Sequence, residues 1–207
     1  MNALIIVDLQ NDFLPGGALA VTHGDEVVPI INNLQIRFDL VIATQDWHPA
    51  NHQSFAANHP GKKPGDRVEL HGLPQILWPA HCVQNTPGAA LAAALERKLI
   101  SEFFHKGTDP EIDSYSGFFD NGHRRSTGLG EYLKSRNVSQ VFVAGLATDY
   151  CVKFTALDAM KLGFGTRLIE DACRGVNLNA ADSAKAIEEM RSAGVQIVQS
   201  NQIPKRI

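Results

Sequence analysis

Cysteine is scarce in this chain, and no single sign of charge dominates it. Three of its 207 residues are cysteine, at positions 82, 151 and 173. An odd number without regular spacing excludes a disulfide framework and fits a reducing cytoplasm. The 19 Lys and Arg nearly balance 22 Asp and Glu, leaving a formal net charge of -3. That argues against a nucleic-acid partner or an anionic membrane surface. No apolar run is long enough to span a bilayer. The opening residues, Met1 to Asp8, have no basic segment and reach an acid too early for a secretory signal, so they read as a first strand. The G-x-x-x-x-G-K-[ST], G-x-G-x-x-G and H-E-x-x-H motifs are all missing, which removes the common nucleotide loops and the zincin site. The acids between Asp109 and Asp120 lack calcium-loop spacing.

What is present is an ordinary soluble balance, 44% hydrophobic and 20% charged, at a length that suits one domain. Apolar runs predict strands over 3–7, 40–44, 101–104, 140–144, 167–170 and 195–199. Helical periodicity predicts helices over 25–38, 88–98, 127–136, 149–162 and 180–193. This alternation implies one α/β domain over 1–207, three layers deep, with a central, mostly parallel six-stranded sheet. Residues 45–86 break the pattern. They are rich in Pro, Gly, His and Asn without a helical period, and a long loop of this kind in a compact domain is usually functional.

Ligands of open α/β sheets bind outside the carboxyl ends of the strands. Asp8 follows the first predicted strand, Asp46 and His48 the second, Lys106 the third and Cys151 the fourth. The segment around Cys151 reads as strand, tight turn and helix, with Thr148 or Asp149 as N-cap. Cys151 would lie in the first helical turn, where free amides and the helix dipole favour a thiolate. A small buried cysteine packed on the sheet is the alternative. With Asp8 as base and Lys106 as electrostatic partner, Cys151 makes a nucleophilic set without a catalytic histidine.

The 45–86 loop is also rich in histidine. Asp46-Trp47-His48 is followed by His52, His59, His71 and His81. Asp46, His48 and His81 can supply three ligands to a borderline metal and leave positions open, which makes this loop the expected metal-binding region. His52, His59 and His71 read better as polar loop residues. Cys82 has no neighbouring thiol, so a cysteine-ligated site is set aside.

Six motifs carry a resemblance along nearly the whole chain. They are Val7-Asp-Leu-Gln-Asn-Asp-Phe13, Gln45-Asp-Trp-His-Pro49, Trp78-Pro-Ala-His-Cys82, Phe104-His-Lys-Gly107, Asp113-Ser-Tyr-Ser-Gly-Phe-Phe119 and Gly145-Leu-Ala-Thr-Asp-Tyr-Cys151. On these the chain resembles the nicotinamidases of the isochorismatase-like cysteine hydrolases, a Rossmann-like fold. The resemblance implies a cytoplasmic amidohydrolase of pyridine-nucleotide salvage that turns nicotinamide into nicotinate and ammonia and also accepts pyrazinamide. It makes Asp8, Lys106 and Cys151 the catalytic triad. Asp46, His48 and His81 become ligands of one divalent metal ion per chain, zinc ahead of iron or manganese, with His52, His59 or water completing the shell. Phe13 and Trp78 would flank the ring. A cis peptide between Leu146 and Ala147 would aim the Ala147 N–H, with that of Cys151, into an oxyanion hole. Self-association is left open. Isochorismatases lack the cysteine nucleophile and the sister N-carbamoyl amidases generally lack the metal set. A silent scaffold would have lost Asp8, Lys106 or Cys151.

Overall fold

In the computed structural model, which describes residues 1–204, all six predicted strands form. The last three residues of the expected 1–207 domain lie outside the described residues. In chain order the strands are β1 (Asn2–Val7), β2 (Leu40–Asp46), a short pair β3 (Arg67–Leu70) and β4 (Leu73–Ile76), β5 (Ile100–Lys106), β6 (Gln140–Leu146), β7 (Gly165–Arg174) and β8 (Gln196–Val198). The main sheet runs β5-β2-β1-β6-β7-β8, and every neighbouring pair is parallel. From β1 the chain moves outward to β2 and β5 on one side. From β6 it moves outward to β7 and β8 on the other. The order therefore reverses between β1 and β6, where a crevice opens at the carboxyl ends.

Alternation along β1 shows how the layers form. Leu4 and Ile6 face one apolar cluster, and Ala3, Ile5 and Val7 face another. The first cluster is closed by helix α1 (Val27–Gln35), whose Val27, Ile31 and Leu34 make the inward stripe. The second is closed by α2 (Leu129–Ser135), α3 (Lys153–Lys161) and α4 (Asp182–Ser192) through Leu129, Leu133, Ala156, Ala159 and Met190. No described helix is long and apolar enough to cross a membrane.

Two expectations fail. Residues 88–98 form turns, not a helix. Their alanines and leucines favour helix intrinsically, but distant groups take the backbone. Asn11 and Asp12 donate their N–H groups to the carbonyls of Ala90 and Gly88, Ala92 donates to Leu9, and side chains of Asn32 and Gln35 reach the carbonyls of Ala94 and Glu96. The 45–86 loop, in turn, is not wholly irregular. β3 and β4 make an antiparallel hairpin whose two turn residues, His71 and Gly72, both have positive φ.

Candidate active site

Four strands bring the predicted residues to the crevice. Asp8 leaves β1 at φ +45°, a left-handed conformation unusual outside glycine. Thr44 on β2 holds it: its hydroxyl accepts the Asp8 N–H at 3.3 Å and donates to Asp8 Oδ1 at 2.7 Å. Asp46 and Lys106 are register partners at the ends of β2 and β5, so both lie inside strands that run longer than predicted. On the other side, β6 closes directly onto β1. Gly145 pairs with Val7, and a side chain there would sit 2.1 Å from the Val7 carbonyl oxygen. Glycine at 145 is thus what lets the Cys151 turn approach Asp8.

Lys106 is the hub. Its buried ammonium donates to Asp46 Oδ1, to the Ser114 carbonyl at 2.8 Å and to Cys151 Sγ at 3.4 Å. An ammonium has three N–H donors, shared here among four close acceptors, since Asp8 Oδ2 also lies 2.9 Å from the same nitrogen. Asp8 is therefore a buried, ion-paired carboxylate, and Asp8, Asp46 and Cys151 offer atoms within 4.8 Å of one another.

The charges follow from this packing. Burial alone would discharge Lys106, but the carboxylates of Asp46 and Asp8 outweigh it and hold the amine well above its usual range. Burial raises the Asp8 carboxyl to about 6, with Lys106 opposing and Asp46 adding to the rise. Burial likewise opposes ionisation of Asp46, but Lys106 and His48 hold its carboxyl below the usual carboxylate range. Cys151 departs from expectation. Its thiol is raised well above the ordinary value, because burial and then the two carboxylates outweigh the stabilising pull of Lys106. The resting sulfur is thus a thiol, with a proton acceptor beside it.

The turn that carries Cys151 also differs. Residues Thr148–Val152 form one π-helical turn, in which the Val152 N–H reaches the Ala147 carbonyl at 3.1 Å, and α3 begins only at Lys153. Neither Thr148 nor Asp149 caps it with a side chain. The Asp149 carboxylate instead accepts the Val176 and Asn177 N–H groups at 2.9 and 2.8 Å and ties the turn to the loop after β7. The Leu146–Ala147 bond is cis, as the resemblance implies.

Asp46, His48 and His81 converge, all three buried. His48 Nδ1 bonds the Gly107 carbonyl and His81 Nδ1 the Pro79 carbonyl, each at 2.8 Å. Both rings therefore carry their proton on Nδ1 and leave the Nε2 lone pair free. The two Nε2 atoms stand 3.7 and 3.9 Å from Asp46 Oδ2, too far for a hydrogen bond. Ligands about 2.1 Å from a tetrahedral ion stand about 3.4 Å apart, so the donor set fits a divalent cation such as zinc. Burial and the neighbouring His48 lower His81 to about 4, which keeps it neutral, while Asp46 raises His48 against its burial.

The other loop histidines divide. His52 is fully buried against His48, with ring centroids 4.2 Å apart, and makes a second potential ligand group with His48 and Asp113. His59 bonds the Gln53 carbonyl, exposed His71 pairs with Glu111, and neither belongs to a ligand group among the described residues.

Beside Cys151 lies a small cavity lined by Phe13, Trp78, His81, Ala147 and Tyr150 among others. Phe13 and Trp78 are both buried. Trp78 is held by its indole N–H, which donates to the Tyr115 hydroxyl at 3.2 Å, and by an edge-on contact with Tyr150.

Sequence reasoning gave no individual role to Thr44, Asp113, Ser114, Tyr115 or Tyr150. The last four lie inside quoted motifs, and Thr44 carried its own signal, a polar residue in an apolar strand two positions before Asp46 and so on the same face.

The arrangement can be set beside known proteins. The isochorismatase domain family matches residues 2–202. The chain belongs to the isochorismatase family. The nicotinamidase of Escherichia coli K12 is 54% identical over 199 residues, covering 94% of this chain and 93% of that protein. The solved structure of a nicotinamidase and pyrazinamidase from Acinetobacter baumanii superposes with a TM-score of 0.95 at 48% identity, over 98% of each chain. That of a pyrazinamidase from Pyrococcus horikoshii in complex with zinc gives 0.78 at 40% identity, over 96% of this chain and 98% of that one. Within the isochorismatase family, this chain is thus similar to proteins named for the deamidation of nicotinamide and pyrazinamide.

Proposed function

We propose that this protein is a nicotinamidase, an amidohydrolase that converts nicotinamide and water to nicotinate and ammonia and also deamidates pyrazinamide. The observation that carries the mechanism is the buried Asp8 carboxylate, ion-paired to Lys106 and grouped with Cys151, whose sulfur the same ammonium reaches. Cys151 Sγ attacks the amide carbon while its proton passes to Asp8 Oδ2. The Lys106 N–H on sulfur stabilises the thiolate as it forms. Asp8 then protonates the amide nitrogen, the C–N bond breaks, and ammonia leaves a thioester on Cys151. Water attacks the thioester, giving one proton to Asp8, and the C–S bond breaks. Asp8 returns that proton to sulfur, water's other proton stays on the carboxyl, and the acid departs and ionises to nicotinate. The Ala147 and Cys151 N–H groups hold the oxyanion in both halves, and Phe13 and Trp78 clamp the ring.

Asp46, His48 and His81 would hold one divalent ion, with zinc best suited to two imidazoles and a carboxylate. Such an ion would supply a Lewis acid able to accept a ring-nitrogen lone pair and so help orient the ring. A place in pyridine-nucleotide salvage follows from this substrate and product.

The test is ammonia release from nicotinamide by the purified protein, before and after treatment with a chelator. Stoichiometric nicotinate and ammonia, lost on chelation and regained with zinc, is the expected result. No release by metal-loaded protein would overturn the assignment.

A further inference from the structure

We propose that Gln10 and Asp12 are positioning residues that set the spacing of the Asp46/His48/His81 group and thereby its affinity for a divalent cation. The inference rests on reading that group as the metal site. Neither residue belongs to the ligand set.

The three ligand side chains come from two segments far apart in sequence, and none of them hydrogen-bonds another. Something else must fix their separation, and both segments are tied to one short loop after β1. The pairing of β1 with β2 ends at Ile6 and Ala43, so Asp46 has no strand on its β1 side. The fully buried Gln10 side chain takes that place. Its Oε1 accepts the Asp46 N–H at 2.8 Å, and its Nε2 donates to the Asp46 and Ala89 carbonyls, each at 2.8 Å. The amide thus acts as the missing strand's peptide group and locks the Asp46 backbone in both directions.

Asp12 holds the other segment. Its Oδ2 accepts the N–H of Cys82, the residue after His81, at 2.7 Å. The Cys82 carbonyl in turn accepts the His48 N–H at 3.0 Å. One residue, Cys82, therefore links Asp12 to both histidine segments through its N–H and its carbonyl. The carboxylate is also seated on Gly88, where a Cβ would fall 2.2 Å from Oδ2. An alanine at 88 would push the Asp12 carboxylate aside without removing any polar group.

The test measures zinc affinity by competition with a chromophoric chelator on metal-stripped protein, together with thermal melting of the stripped form. The variants are Gln10→Met, Asp12→Asn and Gly88→Ala, with Asn11→Ala as the control. Asn11 lies in the same loop and holds only the Pro87 carbonyl with its side chain. The three test variants should bind zinc about 10–100-fold more weakly, the usual scale for lost support around a metal ligand. Asp12→Asn and Gly88→Ala, acting through one contact, should combine with less than additive effect. Asn11→Ala should match the parent. Asp12→Asn is isosteric and keeps the test open if Gln10→Met fails to fold. Unchanged zinc affinity in Asp12→Asn and Gly88→Ala, or an equal loss in Asn11→Ala, would overturn the proposal. A parent protein that binds no zinc would instead defeat the metal reading beneath it.

Discussion

Lys106 Nζ and Asp8 Oδ2 stand 2.9 Å apart as a fully buried ion pair. The ammonium opposes the rise that burial imposes on Asp8 and so keeps it ionised enough to act as a base.

The first consequence is a pH dependence. The mechanism needs Asp8 as carboxylate, and burial raises its pKa to about 6. The kcat/KM for nicotinamide should be level above that pH and fall tenfold per unit as the pH drops through it. Lys106 opposes the rise, so Lys106→Met should move this acid limb to higher pH. It should also push the Cys151 thiol further up and lower turnover by about 10²–10⁴-fold. An acid limb that stays in place in Lys106→Met would show that Asp8 is not the titrating base.

Thr44 makes a second, milder test of the same base. Thr44→Val removes the hydroxyl that donates to Asp8 Oδ1 while keeping the shape of the side chain. A hydrogen bond to a charged group contributes about 1.5–3 kcal/mol, so the variant should melt earlier. Its acid limb should shift upward in the same direction as that of Lys106→Met. A stability loss with an unmoved limb would make Thr44 structural only.

The three cysteines should separate cleanly. Cys82 and Cys173 are buried, and burial raises both thiols, that of Cys173 to about 12. Alanine at either position should retain most activity at some cost in stability. Cys151→Ala should fold and release no ammonia above background. Activity surviving in Cys151→Ala would require another nucleophile.

Substrate choice should report on the ring nitrogen. At the proposed ring site, benzamide would fill the same space between Phe13 and Trp78 but offer the metal group no lone pair. Its kcat/KM should fall by about 100-fold or more relative to nicotinamide, the scale of a misplaced reacting group. Pyrazinamide keeps that nitrogen and should be turned over. Equal values for benzamide and nicotinamide would leave the metal group without a part in orienting the ring.

How legible this was in the sequence depended on where the information lay. Buried parallel strands announce themselves as apolar runs, so β1, β2, β5, β6, β7 and β8 were readable, and with them the strand-end positions of Asp8, Asp46, Lys106 and Cys151. The 88–98 segment misled because its Ala-Leu composition speaks for helix. Its carbonyls are instead claimed by Asn11, Asp12, Asn32 and Gln35, which no local pattern records. The π-helical turn at Thr148–Val152 hid behind an ordinary helix pattern. The raised thiol of Cys151 was missed because burial is a tertiary quantity, whereas a helix start and a nearby lysine can be read from order along the chain. Gln10 and Asp12 sat within a recognised motif, but their partners at 46, 82 and 89 only become neighbours once the sheet forms.

A thioester on Cys151 can be trapped, and partitioning with hydroxylamine measures it. Nicotinamide and methyl nicotinate should yield the same acyl-enzyme, so each should give nicotinohydroxamate and nicotinate in one common ratio at a given hydroxylamine concentration. Cys151→Ala should give neither product. Ratios that differ between the two substrates, or hydroxamate formed by Cys151→Ala, would mean that no thioester forms on Cys151.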